Sequence, residues 1–192
     1  MTTRCKKGFS LIEAAIVLGL VGMVVGGIWM AMASTRASTQ ANQLQQQTLN
    51  LVKSVRDYYA ARALPAAGDI TSALRTKGRF PEEMCPANCV SAGSYTVRNA
   101  YGGSTTVNIP NVTTYPNQVV VAYYGVDEKG CVQLGMSLSA RSAELGLTGY
   151  CVSTEGCGGG PEYTTFPIPL ATLQSDCRAT DNQLDLYFKI RN

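Results

Sequence analysis

The sequence predicts an α+β protein: one long N-terminal α-helix packed on a mostly antiparallel β-sheet. Three observations predict it. From Phe9 to Ala33 the chain is apolar apart from Ser10 and a single charge, Glu13. From Ser34 to Ala63 there is no Gly or Pro, and Ala, Gln and Leu, all good helix formers, dominate. Beyond Val90 the apolar period shifts towards two, with turn residues between the runs.

The first element is the apolar run. It is long enough to cross a bilayer, which takes about 20 apolar residues. A carboxylate inside such a run is a functional hypothesis by default. A basic leader, with Arg4, Lys6 and Lys7, precedes it and ends at Gly8. The positive-inside rule then places the leader in the cytoplasm and the rest beyond the membrane. A cleaved secretory signal is the first alternative, with Ala31-Met32-Ala33 as its cut. The run is longer than the 7–15 residues of a usual signal core, and such a core has no reason to carry Glu13. Gly22 and Gly26 form a small-x-x-x-small pair, with Gly19 and Gly27 nearby. That spacing suits close helix packing, and it also suits ordinary membrane-helix glycine content. Trp29 is placed as an interfacial anchor.

The helix is expected to continue past the membrane. Leu44, Leu51, Val52, Val55, Tyr58 and Tyr59 recur at helical spacing and form an apolar stripe. Leu64-Pro65 ends it, because a residue before proline avoids the α region. A helix from Phe9 to Ala63 would be about 80 Å long, apolar all round in its first half and on one side in its second. A loop with a short helix near Ile70 to Lys77 follows. Ser94–Arg98 and Thr105–Ile109 read as strands around the turn-rich Asn99–Gly103, and Gln118–Tyr124 as the central strand. A second helix is expected over Cys131–Leu145, stopped by Gly146 and Gly149. A short strand at Tyr150–Ser153, a loop from Gly156 to Pro161 and a last strand over Gln183–Arg191 complete the chain.

Composition excludes several functions. Net charge is +3, and three of the cations sit in the leader, so the remainder is near neutral. A nucleic-acid surface needs a basic excess, so none is expected. The chain has no histidine, the commonest general base and metal ligand. Glu82-Glu83 and Asp127-Glu128 read as solvated loop charges, and Gly156–Gly160 lacks the lysine of a phosphate loop. No nucleophile stands beside a base, so no enzyme, metal or cofactor is expected. Beyond Cys5, six cysteines (Cys85, Cys89, Cys131, Cys151, Cys157, Cys177) suggest disulfides in an oxidising compartment. Six allow fifteen pairings, which spacing alone leaves open.

Lys7-Gly8-Phe9-Ser10-Leu11-Ile12-Glu13 and the apolar helix after it resemble the N-terminus of type IV prepilins. Asn99–Gly103 before a strand, Gly130-Cys131 opening a helix and Cys177 before a terminal strand are similar to type IVb pilins, the toxin-coregulated, bundle-forming and conjugative thin-pilus kind. The eight-residue leader and Phe9 look more like type IVa or pseudopilin precursors. The missing helix proline favours type IVb.

The resemblance implies the type IV pilin fold. It divides the chain into a removable leader (1–8), a transmembrane and filament-core helix (9–35) and an extracytoplasmic domain (36–192). It implies cleavage between Gly8 and Phe9 by a prepilin peptidase and N-methylation of Phe9. Glu13 would pair with the Phe9 amine of a neighbouring subunit and set register; a first-turn carboxylate on the helix dipole is the plainer reading of the residue itself. Cys131–Cys177 would close the C-terminal loop, leaving Cys85–Cys89 and Cys151–Cys157 as local pairs. The partners are then other copies of the chain, the peptidase, inner-membrane assembly machinery and the bilayer. The expected function is a major pilin, anchored in the inner membrane and later polymerised into a surface filament for adhesion, aggregation or conjugation. A minor tip pilin and a type II secretion pseudopilin are the competing expectations.

Overall fold

The computed structural model describes residues 11–86, 89, 96–154, 156–157, 160–178 and 180–191. The chain divides into two compact units, Met1–Ser38 and Thr39–Asn192. One helix, α1 (Leu11–Tyr59), belongs to both. In the first unit the apolar side chains from Leu11 to Trp29 are exposed.

The second unit is built on a five-stranded sheet. Its strands are β1 (Gly68–Asp69), β2 (Thr105–Ile109), β3 (Gln118–Val126), β4 (Leu147–Ser153) and β5 (Asn182–Lys189), in the order β1-β2-β3-β5-β4. Every pairing is antiparallel. The dense β-branched run of β3 lies in the middle, where both edges are paired and both faces are covered. Along β5, Leu184, Leu186 and Phe188 enter the core while Asp185 and Tyr187 alternate with them.

The apolar stripe of α1 forms the other side of that core. Leu44, Leu51, Val52, Val55 and Tyr59 are buried together with Val107, Val121, Tyr123, Leu134 and Leu186. Two polar residues join them. Thr48 is fully buried and shares a hydrogen bond with the Tyr123 hydroxyl at 2.9 Å. Gln47 accepts from the Ala100 N–H at 3.0 Å through Oε1. A buried polar group is stable only with such a partner.

Among the described residues, four further named helices belong to this unit: α2 (Thr71–Thr76), α3 (Glu128–Ala140), α4 (Ser142–Leu145) and α5 (Leu170–Asp176). Several boundaries differ from the sequence reading. α1 ends at Tyr59 rather than Ala63, because the Tyr59 carbonyl is taken by Arg191 and by the Arg62 N–H. The helix expected at Cys131–Leu145 starts at Glu128, and Asp127 is not a loop charge. Its carboxylate caps α3 by accepting the Gly130 N–H at 2.7 Å. The helix also breaks at Arg141, so α4 is a separate turn that ends on left-handed Gly146. Gly149 is no stop signal. It lies inside β4, where a Cβ would stand 2.4 Å from Pro161.

β1 and α5 have no counterpart in the sequence reading. Two residues cannot show alternation, and seven repeat a helical period less than twice. Of the expected strand Ser94–Arg98, residues 94 and 95 lie outside the described residues, and Arg98 makes one bridge to Ser104.

Candidate assembly site

Gly8 and Phe9, the expected cut and methylation site, lie outside the described residues. Glu13 sits in the first turn of α1, where the helix dipole favours a carboxylate. It is the only acid between Leu11 and Trp29, a helical stretch long and apolar enough to cross a membrane. On this stretch Gly19, Gly22, Gly26 and Gly27 have open space where a Cβ would stand. Trp29, near the stretch's end, is 70% exposed. A helix so exposed, and so apolar, needs either lipid or other apolar helices around it.

The second unit brings the six later cysteines together in pairs. Cys131 in the first turn of α3 bonds Cys177 at the end of α5, across 46 residues of sequence. Cys85 bonds Cys89 and Cys151 bonds Cys157, each closing a short loop. The α3–α5 contact around the long-range bridge is tight. A Cβ on Gly135 would fall 2.7 Å from Leu173, and the Tyr150 hydroxyl donates to the Cys131 carbonyl at 3.2 Å.

The loop Asn99–Gly103 is fixed at both ends. Asn99 donates from Nδ2 to the Tyr124 carbonyl at 2.8 Å, and its Oδ1 accepts the Tyr101 N–H at 2.8 Å. Gly103 passes so close to β3 that a Cβ would collide with the Tyr124 carbonyl. Tyr101 lies over the start of α3, where a Cβ on Gly130 would come 2.2 Å from its hydroxyl. Burial, with the Asp127 carboxylate beside it, pushes the Tyr101 phenol up to about 12. This phenol is therefore a neutral packing group, not a base. Glycine at 103 and 130 is the sequence signal that these contacts leave.

Sequence reasoning missed Gln47, Thr48 and Asp127 as structural residues. Asp127 was legible as the first residue of Asp-Glu-Lys-Gly before a helix, a capping position. Among the described residues there is no group of three or more metal-ligating side chains.

The comparisons with known proteins agree with this geometry. The family model described as PilS N terminal matches residues 31–186. The chain is 25% identical over 190 residues to the major structural subunit of bundle-forming pilus of Escherichia coli O127:H6 (strain E2348/69 / EPEC), covering 95% of this chain and 93% of that one. It is 24% identical over 195 residues to the subunit of the same description from Escherichia coli O111:H-, with the same coverage. Among solved structures, a type IV b pilin from Salmonella typhi superposes with a TM-score of 0.56 at 18% identity, over 79% of this chain and 99% of that one, which speaks to the fold. The chain belongs to the PilS N-terminal family: it is a type IVb-like pilin, a structural protein and not an enzyme.

Proposed function

We propose that the chain is the major subunit of a type IV pilus. It enters the inner membrane as a prepilin with its leader, residues 1–8, in the cytoplasm. A prepilin peptidase cuts between Gly8 and Phe9 and methylates the new Phe9 amine. Residues 9–35 then serve first as membrane anchor and later as filament core, while residues 36–192 form the extracellular head. The observation that carries this reading is the contrast along α1: an exposed apolar stretch, then a stripe buried in the head's core.

The chemistry of the core follows. Cleavage leaves a cationic amine on Phe9, four residues from Glu13. A charge among packed apolar helices requires a partner. Glu13 of one copy paired with the Phe9 amine of the next neutralises both and fixes axial register. The open flanks of Gly22 and Gly26 let neighbouring backbones approach. Assembly machinery in the inner membrane would extract the subunit, and adhesion, aggregation or conjugation would be the filament's use.

Electron microscopy of sheared surface fibres, with mass spectrometry of their main subunit, tests this. Fibres built mainly of a chain starting at N-methylated Phe9 are expected. A chain starting at Met1 or Ser34 would sink the processing scheme. Fibres holding this chain only in trace would make it a minor pilin.

A further inference from the structure

Where α1 ends, two guanidinium groups are held in place by backbone carbonyls. Arg56 donates to the Lys189 carbonyl from Nε at 3.1 Å and from Nη2 at 2.8 Å, and Nη2 also reaches the Leu145 carbonyl. Arg191 donates to the Tyr59 carbonyl from Nε at 3.2 Å and from Nη2 at 2.5 Å. The corner at Gly146 makes room for the first of them: its backbone is left-handed, and a Cβ there would stand 2.7 Å from Arg56 Nη2. Arg56, Lys189 and Arg191 then line one cavity of about 380 Å³, with Glu144 and Gly146 among its other walls.

The carbonyl bonds fix these side chains without cancelling their charge. Each guanidinium keeps its Nη1 nitrogen uncommitted among the described residues. Among those residues no carboxylate forms an ion pair with Arg56, Lys189 or Arg191, and Glu144, the acid of the lining, is already paired with Arg141 at 2.8 Å. Burial draws the Arg56 guanidinium below its ordinary value, and no neighbouring acid offsets that cost. The cavity therefore sets three cations against one acid engaged with a fourth, whereas residues 39–192 as a whole carry twelve Lys and Arg and twelve Asp and Glu. A cleft lined by one sign of charge concentrates the opposite ion.

The chemistry narrows the anion. A guanidinium fork matches the oxygens of a carboxylate or a phosphate, and an ammonium adds a point charge. A monocarboxylate brings one charge and two oxygens to three cations. A phosphate monoester brings about two charges at pH 7 and three acceptor oxygens. A nucleic-acid surface carries a basic excess over its domain, and the head has none. The cavity is at the small end of ligand sites, about 300–1,000 Å³, so a small ester fits. We propose that Arg56, Lys189 and Arg191 form a binding site for a phosphate monoester group, with Arg56 and Arg191 as preorganised forks and Lys189 as the adjustable point charge. The site lies wholly within the 39–192 unit and does not depend on the filament reading. The group belongs to a small soluble ester or to a lipid headgroup, which present the same chemistry.

Isothermal titration calorimetry of the full chain in dodecyl maltoside micelles tests this. Inorganic phosphate and glycerol 3-phosphate are the soluble probes, and sodium acetate is the monocarboxylate. A second series adds phosphatidic acid to the micelles, with phosphatidylcholine as its blank. Wild type is expected to bind glycerol 3-phosphate with Kd about 1 mM or tighter, and acetate about tenfold more weakly. Lys189→Gln, at an exposed side chain, should weaken phosphate binding about fivefold; Lys189→Glu should abolish it and Lys189→Arg should retain it. Glu144→Gln removes the acid of the lining and should tighten binding about threefold, a gain that misfolding would not mimic. Lys129→Gln, an exposed lysine outside the cavity, should stay within about twofold of wild type. Circular dichroism checks folding of each variant. Tighter binding of phosphatidic acid than of glycerol 3-phosphate upholds the site and assigns it a lipid headgroup; the reverse order upholds it and assigns a soluble ester. No binding of any phosphate probe, acetate bound as tightly as phosphate, or equal losses from Lys189→Gln and Lys129→Gln would overturn the site. Retention on a heparin column without phosphate binding would give the surface to a polyanion and overturn it too.

Discussion

Two stretches of α1 have the same backbone and opposite surroundings. From Leu11 to Trp29, Leu18 is 71% exposed and Ile16 59%. From Ala41 to Tyr59, Leu44, Leu51 and Val55 are completely buried. The first stretch is apolar on every side, so no arrangement of one head could cover it. The second is apolar on one side, so a single sheet suffices. The difference teaches that this helix contributes to two separate equilibria. Its second stretch stabilises the folded head. Its first stretch contributes to the states in which lipid or other copies surround it.

Four changes would break or sharpen that contrast. The largest effect on the fibre is expected from Glu13→Ala. Membrane insertion and leader cleavage should persist, while sheared-fibre yield falls by about a hundredfold or more, because an unpaired charge among packed apolar helices is strongly unfavourable. Head stability should not change. Normal fibres from this variant would remove the charge-pairing account.

Next come the disulfides, which act on the head alone. Replacing both Cys131 and Cys177 by Ser opens a loop of 46 residues. In the chain-entropy model that costs about 4 kcal/mol, against about 2 kcal/mol for Cys85 and Cys89. Urea denaturation of the head measures both. Equal losses would show that loop length is not what makes the long bridge stabilising.

The third test takes one leucine from each stretch. Leu51→Ala should destabilise the head by about 3 kcal/mol through a lost side chain and the cavity it leaves. Leu18→Ala should leave head unfolding within about 0.5 kcal/mol, because that side chain is 71% exposed. A comparable loss from Leu18→Ala would mean that the two stretches are not energetically separate.

The smallest effect concerns Asp185, buried on β5. Burial raises its carboxyl above the ordinary range, and a hydrogen bond from Gln183 Nε2 at 2.9 Å opposes the shift. Its folded form therefore holds a proton more tightly than the unfolded chain. Stability falls as pH rises from the unfolded value, about 4, through the raised folded value. Asp185→Asn keeps the acceptor and removes the charge. It should stabilise the head by less than about 1 kcal/mol at pH 7, a gain that vanishes below about pH 4. A loss of stability at pH 7 would show that Asp185 is paired as an anion.

Legibility in the sequence followed the length of each signal. α1 and β3 were readable because each repeats its pattern many times. The expected last strand, Gln183–Arg191, lay within one residue of β5 at its start and ran two past its end, because alternation does not say where pairing stops. β1 and α5 were not readable, being too short for their patterns to repeat more than once or twice. At the candidate assembly site, Glu13 stood out as a charge in an apolar run. The buried polar contacts of Thr48 and Gln47 did not, since a Gln or Thr on a helix looks the same whether its partner is water or Tyr123.

By itself the sequence determined that one helix has an all-round apolar stretch and a one-sided stretch, that the rest is a sheet, and that Glu13 lies inside the apolar run. Those are periodicity and composition, which each residue carries locally. The tertiary structure decided which cysteines meet, where α1 stops, and which cations gather at its last turn. The long-range ones depend on residues distant in sequence, 46 positions for Cys131 and Cys177 and 132 for Tyr59 and Arg191, which only packing brings together. For Glu13, the sequence supplies an odd charge in an apolar run, and the structure places it in the first turn of an exposed helix.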